Sequence, residues 1–302
     1  MMNQLKLIIR NEVLTDLSTK SFWISTIVVP LLMGAFGVFG GLMMSGSESF
    51  SSVMSEMPTT PDQESMTPMK AFGMMLGIFP VIFLMMYGSM IFNKVKTEKC
   101  NRIVEILATC VDGRTMMLAK IISVGIVGII QLALWFVLGA VVVGTLLLLL
   151  GIDVPLDVLS DYRLWLGLLW ALLFFIGGYV FYGSLFAAVG AMTDKNNENQ
   201  EYVAVLTFIL LAAFYIGEYA VDHATGTFVT FCSYLPFTSS TVLTVTSVSG
   251  EAPLWLTLSG LLVLFLCAFI TLALAGKIYT SSLLLKGKKF TPRDIITFLR
   301  SK

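Results

Sequence analysis

Charged side chains are scarce in this sequence, and one long, highly charged segment lies between two strongly apolar stretches: Glu98 to Lys120, EKCNRIVEILATCVDGRTMMLAK. Glu98 and Arg102 stand four apart with the acid N-terminal, the order that favours an ion pair along a helix. Ile103, Ile106 and Leu107 fall at i, i+3, i+4, so an apolar stripe is expected with Glu98, Arg102 and Glu105 on other faces. Asp112-Gly113 reads as a turn, with Arg114 just beyond it. Acids and bases on an apolar-backed helix suit docking to another protein better than bond-making chemistry.

Other reactive constellations are missing. The one histidine, His223, excludes H-E-x-x-H and any His-rich metal site. No G-x-S-x-G elbow occurs. Gly276-Lys277 and Gly287-Lys288 lack the preceding glycine and the following Ser or Thr of a phosphate-binding loop, so this chain does not cradle ATP by that route. Cys100, Cys110, Cys232 and Cys267 have no metal-motif spacing, and no structural disulfide is expected of them. Met54/Met57 and Met66/Met69 form two thioether pairs of a kind that can bind Cu(I), but nothing else in the chain points to copper. No catalytic residue, resident metal or cofactor is expected.

The elements that must carry the charged stretch are membrane elements. The hydrophobic fraction is 57% and charged residues make up 13%, about half their usual share; mean hydropathy is +0.87. Six stretches are long enough to cross a hydrocarbon core of about 30 Å: near 22–44, 71–92, 116–150, 164–192, 202–221 and 254–277. They make up a transmembrane region of 22–277, preceded by residues 1–21 and followed by a tail of 278–302. The fold class expected is an all-α integral membrane protein with six transmembrane helices.

Charge fixes the expected orientation. The amino-terminal arm, the 93–120 and 193–201 loops and the tail hold 16 of the 19 Lys and Arg, Lys277 closes the sixth span on the same side, and Lys70 and Arg163 fall opposite. The opposite side carries Glu48, Glu56, Asp62, Glu64, Asp153, Asp157, Asp161, Glu218, Asp222 and Glu251. Both termini are therefore expected in the cytoplasm.

Within residues 1–21, Leu5, Ile9, Val13 and Leu17 make an i, i+4 stripe, and an amphipathic interfacial helix is expected there. Segment 45–70 reads as a mobile external loop. Stretch 222–253 is too apolar for an exposed loop and too short for two spans, so re-entrant or interfacial segments are expected before the sixth span. In the tail, Lys286, Lys288 and Lys289 form a basic cluster suited to anionic lipid, and Thr291-Pro292-Arg293-Asp294 starts a second helix. Gly73/Gly77 and Gly183/Ala187/Ala191 put small residues on one helix face, where helices can approach closely. No acid or base lies mid-span, which argues against an ion-coupled carrier.

Three stretches together resemble the membrane permease of type-2 ABC (ATP-binding cassette) exporters, most like the sodium-export branch. They are KSFWISTIVVPLL (Lys20 to Leu32), the Glu98–Lys120 segment with Glu98, Arg102, Glu105, Leu107 and Lys120 at matching positions, and KIYTSSLLLKGKKFTPRDI with Tyr279, Leu284, Gly287, Lys288 and Lys289. Tyr234-Leu235-Pro236-Phe237 resembles the "Y-x-P" before the last span. Cys110-Val111 stands where the family usually has Pro, and Ala119 replaces the Gly of its "G-K".

The resemblance implies a permease in a bacterial inner membrane that is not itself an enzyme. It implies a cytosolic coupling helix between spans 2 and 3, with Glu98, Arg102, Ile103, Glu105, Ile106, Leu107, Asp112 and Arg114 meeting separate cytosolic ATPase subunits that bind ATP and Mg. A second permease subunit, identical or different, and membrane lipid are the other partners implied, and nucleic acid is not. The rival readings are a self-sufficient secondary transporter or channel, and a membrane scaffold.

Overall fold

The structure, a computed structural model, describes residues 2–20, 22–28, 30, 68–100, 113–150, 162–193, 201–224, 226–250 and 252–284. Every named element among them is a helix: α1 (Met2–Leu17), α2 (Pro68–Cys100), α3 (Gly113–Leu150), α4 (Tyr162–Met192), α5 (Glu201–Asp222), α6 (Thr227–Tyr234), α7 (Pro236–Val248) and α8 (Leu254–Leu284). Five are long and apolar enough to cross a membrane, over Gly77–Lys99, Thr115–Gly139, Trp165–Met192, Glu201–Ala220 and Leu254–Ser282. The first expected span is described only at 22–28 and Pro30, all helical. Most of the external loop, with Met54, Met57 and Met66, and the Lys286–Lys289 tail lie outside the described residues, while Met69 is in α2.

The chain divides into two compact units. The larger comprises Met1–Glu12, Pro68–Gly125 and Asp161–Lys302. Its central helix is α4: 72% of its span window is buried, against 28% for α5 and 22% for α8. Phe174, Tyr182 and Phe186 of α4 pack with Leu84 of α2, Leu243 of α7 and Leu264 of α8 in one core. Leu258, Leu262, Leu266 and Phe269 of α8 face outward. An apolar rim around an aromatic core is what a lipid-facing bundle requires, since lipid tails exert no penalty on exposed Leu or Phe.

Close approach depends on missing side chains. A methyl group at Gly77 would collide with Val245, and one at Gly260 with Leu243. Ala187 and Ala191 are fully buried. These small residues serve packing within the subunit.

The 222–253 stretch forms two short helices. Leu235 ends α6 and caps the start of α7, and Pro236 takes the first helical position, where its missing N–H costs nothing. Tyr182 Oη donates to the Phe237 carbonyl at 2.6 Å, and Tyr234 pairs with Ser259 at 2.9 Å. The Tyr-Leu-Pro-Phe motif is thus a pinned elbow between α6 and α7.

The smaller unit comprises Val13–Thr67 and Ile126–Ser160. Gln131 Nε2 donates to Ser25 Oγ at 3.2 Å, tying residues 22–28 to α3. Trp23 Nε1 donates to the Leu17 carbonyl at 2.9 Å, securing the chain where α1 ends.

Candidate functional site: a buried ion cluster where four helices meet

Lys120 lies in the second turn of α3, within an otherwise apolar run, and its side chain is only 2% exposed. A lysine this deep is not tolerated as a lone charge. Its ammonium donates to Glu12 Oε1 of α1 at 2.9 Å and to Glu98 Oε1 of α2. Lys94, one turn before Glu98 on α2, donates to the other Glu12 oxygen at 3.1 Å. The same oxygen accepts the Ser123 hydroxyl at 2.9 Å. Tyr279 of α8 donates to Glu98 Oε2 at 3.4 Å.

Two carboxylates therefore face two ammonium groups, and the formal charges of the four cancel. Burial pushes the Glu12 carboxyl up, but the attraction and hydrogen bonds of Lys120 and Lys94 together outweigh it and hold the group below its ordinary value. Glu12 is the hub, bound to α2 once and to α3 twice. Nearby, Lys99 Nζ donates to the Thr193 carbonyl just after α4, at 3.4 Å. The cluster holds together the chain ends that flank residues 101–112. Among the described residues, no group of three or more His, Cys, Asp or Glu is placed to hold a metal ion.

Residues 48–277 match the family model of the ABC-2 family transporter protein. The chain belongs to that family. It is a multi-pass membrane protein of that transporter family. It is 27% identical over 232 residues to YhaP, an uncharacterised protein of Bacillus subtilis, covering 74% of this chain and 54% of that one. It is 20% identical over 215 residues to MJ1024, an uncharacterised protein of Methanocaldococcus jannaschii, covering 71% of this chain and 50% of that one. The chain thus spans about half the length of these curated relatives. No solved structure matches it.

Of the residues expected to meet an ATPase, the structure places Glu98 in the last turn of α2, continuous with the second span, and in the ion cluster. Arg102, Ile103, Glu105, Ile106, Leu107 and Asp112 lie outside the described residues, and Arg114 is described only as helical backbone. Glu98 and Lys120 from one of the stretches that carry the family resemblance and Tyr279 from another converge on one point. Glu12, Lys94 and Ser123 join them without having been singled out. The signal for Glu12 was available: a lysine inside an apolar run demands a carboxylate, and Glu12 lies on a helix expected on the same side of the membrane.

Proposed function

We infer that this ABC-2 family member is the permease, the membrane subunit of an ATP-driven exporter. It has six spans with both termini in the cytoplasm, it pairs with a second permease subunit, and it is driven by separate cytosolic ATPase subunits that bind ATP and Mg. Residues 98–114 receive the ATPase's movement, with Arg102, Ile103, Glu105, Ile106, Leu107, Asp112 and Arg114 forming the docking face. The observation that carries this reading is the ion cluster. A displacement of the 101–112 segment pulls directly on Glu98 and Lys120, and through them on α1, α2, α3 and α8. A loop helix serving only topology has no need of a four-charge anchor. The resemblance to the sodium-export branch makes Na⁺ the first solute to assay, by ATP-dependent ²²Na⁺ movement in vesicles.

The test is hydrolysis by the purified chain alone and together with its candidate ABC ATPase partner. Hydrolysis only in the pair is expected, and robust hydrolysis by this chain alone overturns the reading. Glu105→Lys should weaken pull-down of the ATPase. Glu98→Gln should leave pull-down intact while uncoupling transport from hydrolysis, because Glu98 acts through the cluster. If neither substitution changes anything, residues 98–114 do not couple the two subunits.

A further inference from the structure

The most unusual buried chemistry in the larger unit is on α7. Of its 13 residues, Thr238 through Thr246 form an unbroken buried run, and most of that run is Ser, Thr or Val. Half of the run's six hydroxyls are satisfied. Thr238 donates to the Cys232 carbonyl at 2.6 Å, and Thr244 and Thr246 donate back to residues 240 and 242 at 2.5 and 2.9 Å. Ser239, Ser240 and Thr241 are different: these three consecutive hydroxyls are at most 1% exposed and have no hydrogen-bond partner.

The pinned elbow occupies two of the three carbonyls they would use, those for Ser239 and Thr241. Back-bonding in a helix uses the carbonyl four residues earlier. The Leu235 carbonyl already accepts from the Thr238 and Ser239 amides, and the Phe237 carbonyl accepts from Tyr182. Buried unsatisfied hydroxyls are destabilising, and three in a row on one short helix need a use.

Their depth indicates one. Ser240 packs against Gly178, where an added methyl would come within 2.8 Å of its Cβ. Gly178 is thirteen residues after Trp165 and fourteen before Met192, the middle of the α4 span window. Leu84 of α2 meets the same point, ten residues or about 15 Å along the helix from Lys94 of the ion cluster. Thr241 packs on Gly217 of α5, its Cγ2 3.0 Å from an added methyl. Ser240 therefore sits near mid-membrane and Thr241 toward the external end of α5, at a point three residues before Ala220, where protein, a solute or admitted water must satisfy them. In membrane carriers, broken or short helices ending at this depth form solute sites.

The charge around them is informative as well. Leu235 is both the end of α6 and the start of α7, so the carbonyl end of one helix opposes the amide end of the other. Among the described residues no Lys or Arg lies on α6 or α7, while Glu218 and Asp222 follow Gly217 on α5.

Resting on the permease reading, we propose that Ser239, Ser240 and Thr241 form a hydroxyl-lined solute site on the translocation path, closed in this structure and exposed when α7 moves away from Gly178 and Gly217. The solute it takes presents hydrogen-bonding or oxygen-coordinated groups without net negative charge.

The test is thiol accessibility in membranes holding the full chain with its ATPase, in a background where the four native cysteines are serine. Ser239→Cys, Ser240→Cys, Thr241→Cys and, as control, Val242→Cys are treated with two membrane-impermeant methanethiosulfonates, one trimethylammonium and one sulfonate. Rates are divided by each reagent's rate with free thiol, with and without ATP. Modification at 240 and 241 with 242 silent, severalfold faster for the cationic reagent, is the expected result. No modification at any of the three under either condition overturns the site, and equal or faster reaction of the anionic reagent overturns the solute class. An effect of ATP on the rate bears only on the drive proposed above, so the two failures are distinguishable. In the native background, Ser240→Ala and Thr241→Val should leave the Tm unchanged or raised while transport falls. A lowered Tm means that the hydroxyls are structural and overturns the proposal.

Discussion

Removing the charge of Glu12 while keeping its size, Glu12→Gln, takes a carboxylate from Lys94 and one of its two carboxylates from Lys120. The balance of the four groups is then broken where the Lys120 side chain is 2% exposed and that of Glu12 16%. Breaking a buried pair by removing one partner costs about 3–5 kcal/mol, far more than an exposed pair contributes. At about 2 °C per kcal/mol for a large domain, Tm should fall by roughly 6 °C or more. Lys120→Met should fall by a similar amount, since it leaves two carboxylates facing one lysine. The double variant Glu12→Gln/Lys120→Met restores equal numbers of acids and lysines and should be less destabilised than either single. The assay is thermal unfolding of the purified full chain in one detergent at one scan rate, because membrane proteins seldom unfold reversibly. If the double variant loses the sum of the two singles, the groups are not coupled and the cluster is not a unit.

The other expectations follow from the same geometry. Because the Glu12 carboxyl is held below its ordinary value of 4.5, its contribution is fully present above that value and is lost as pH falls through the lowered one. The Tm of the wild type should therefore drop on acidification below about pH 4.5 more steeply than that of Glu12→Gln, and parallel curves would refute this. Tyr182→Phe strips the hydroxyl from the Phe237 carbonyl and should cost about 1–3 kcal/mol, read as a lower Tm; no change would mean that the elbow is held by packing alone. Gly178→Ala should destabilise by about 1–3 kcal/mol through overpacking against Ser240, and Ser240→Gly should recover most of that loss in the double variant.

Much of this fold is legible in the apolar runs, because a span must satisfy its backbone internally and so announces itself by length and composition. Five such runs are helices here. The Tyr234–Phe237 elbow was visible as a break, since Pro cannot continue a hydrogen-bonded helix but suits the start of one. What composition cannot convey is partnership across distance. Glu12 reads as one polar residue on an amphipathic helix, and nothing local reveals that it faces Lys94 and Lys120 from two other helices. For Ser239, Ser240 and Thr241, composition marks the 222–253 stretch as too apolar for an exposed loop but does not show that these three hydroxyls are buried without partners. Only the position of α7 against Gly178 and Gly217 makes those hydroxyls chemically conspicuous. Glu98 lies between these cases: its importance was legible, whereas its partners Lys120 and Tyr279 became evident only in three dimensions.

The long separations within the ion cluster bear on how the protein is made. Lys94 follows Glu12 by 82 residues and Lys120 follows it by 108, while Tyr279 follows Glu98 by 181. At about 5–20 residues per second of synthesis, the Glu12 carboxylate waits roughly 5–20 s on the ribosome's schedule before its deepest partner exists. During that interval α1 has to remain where water can reach Glu12, even if the first span has already entered the bilayer. Closure of the cluster is thus a late step of assembly. It becomes complete only when the last helix delivers Tyr279, so a chain truncated before α8 should insert its earlier helices yet leave their cytoplasmic ends unlatched.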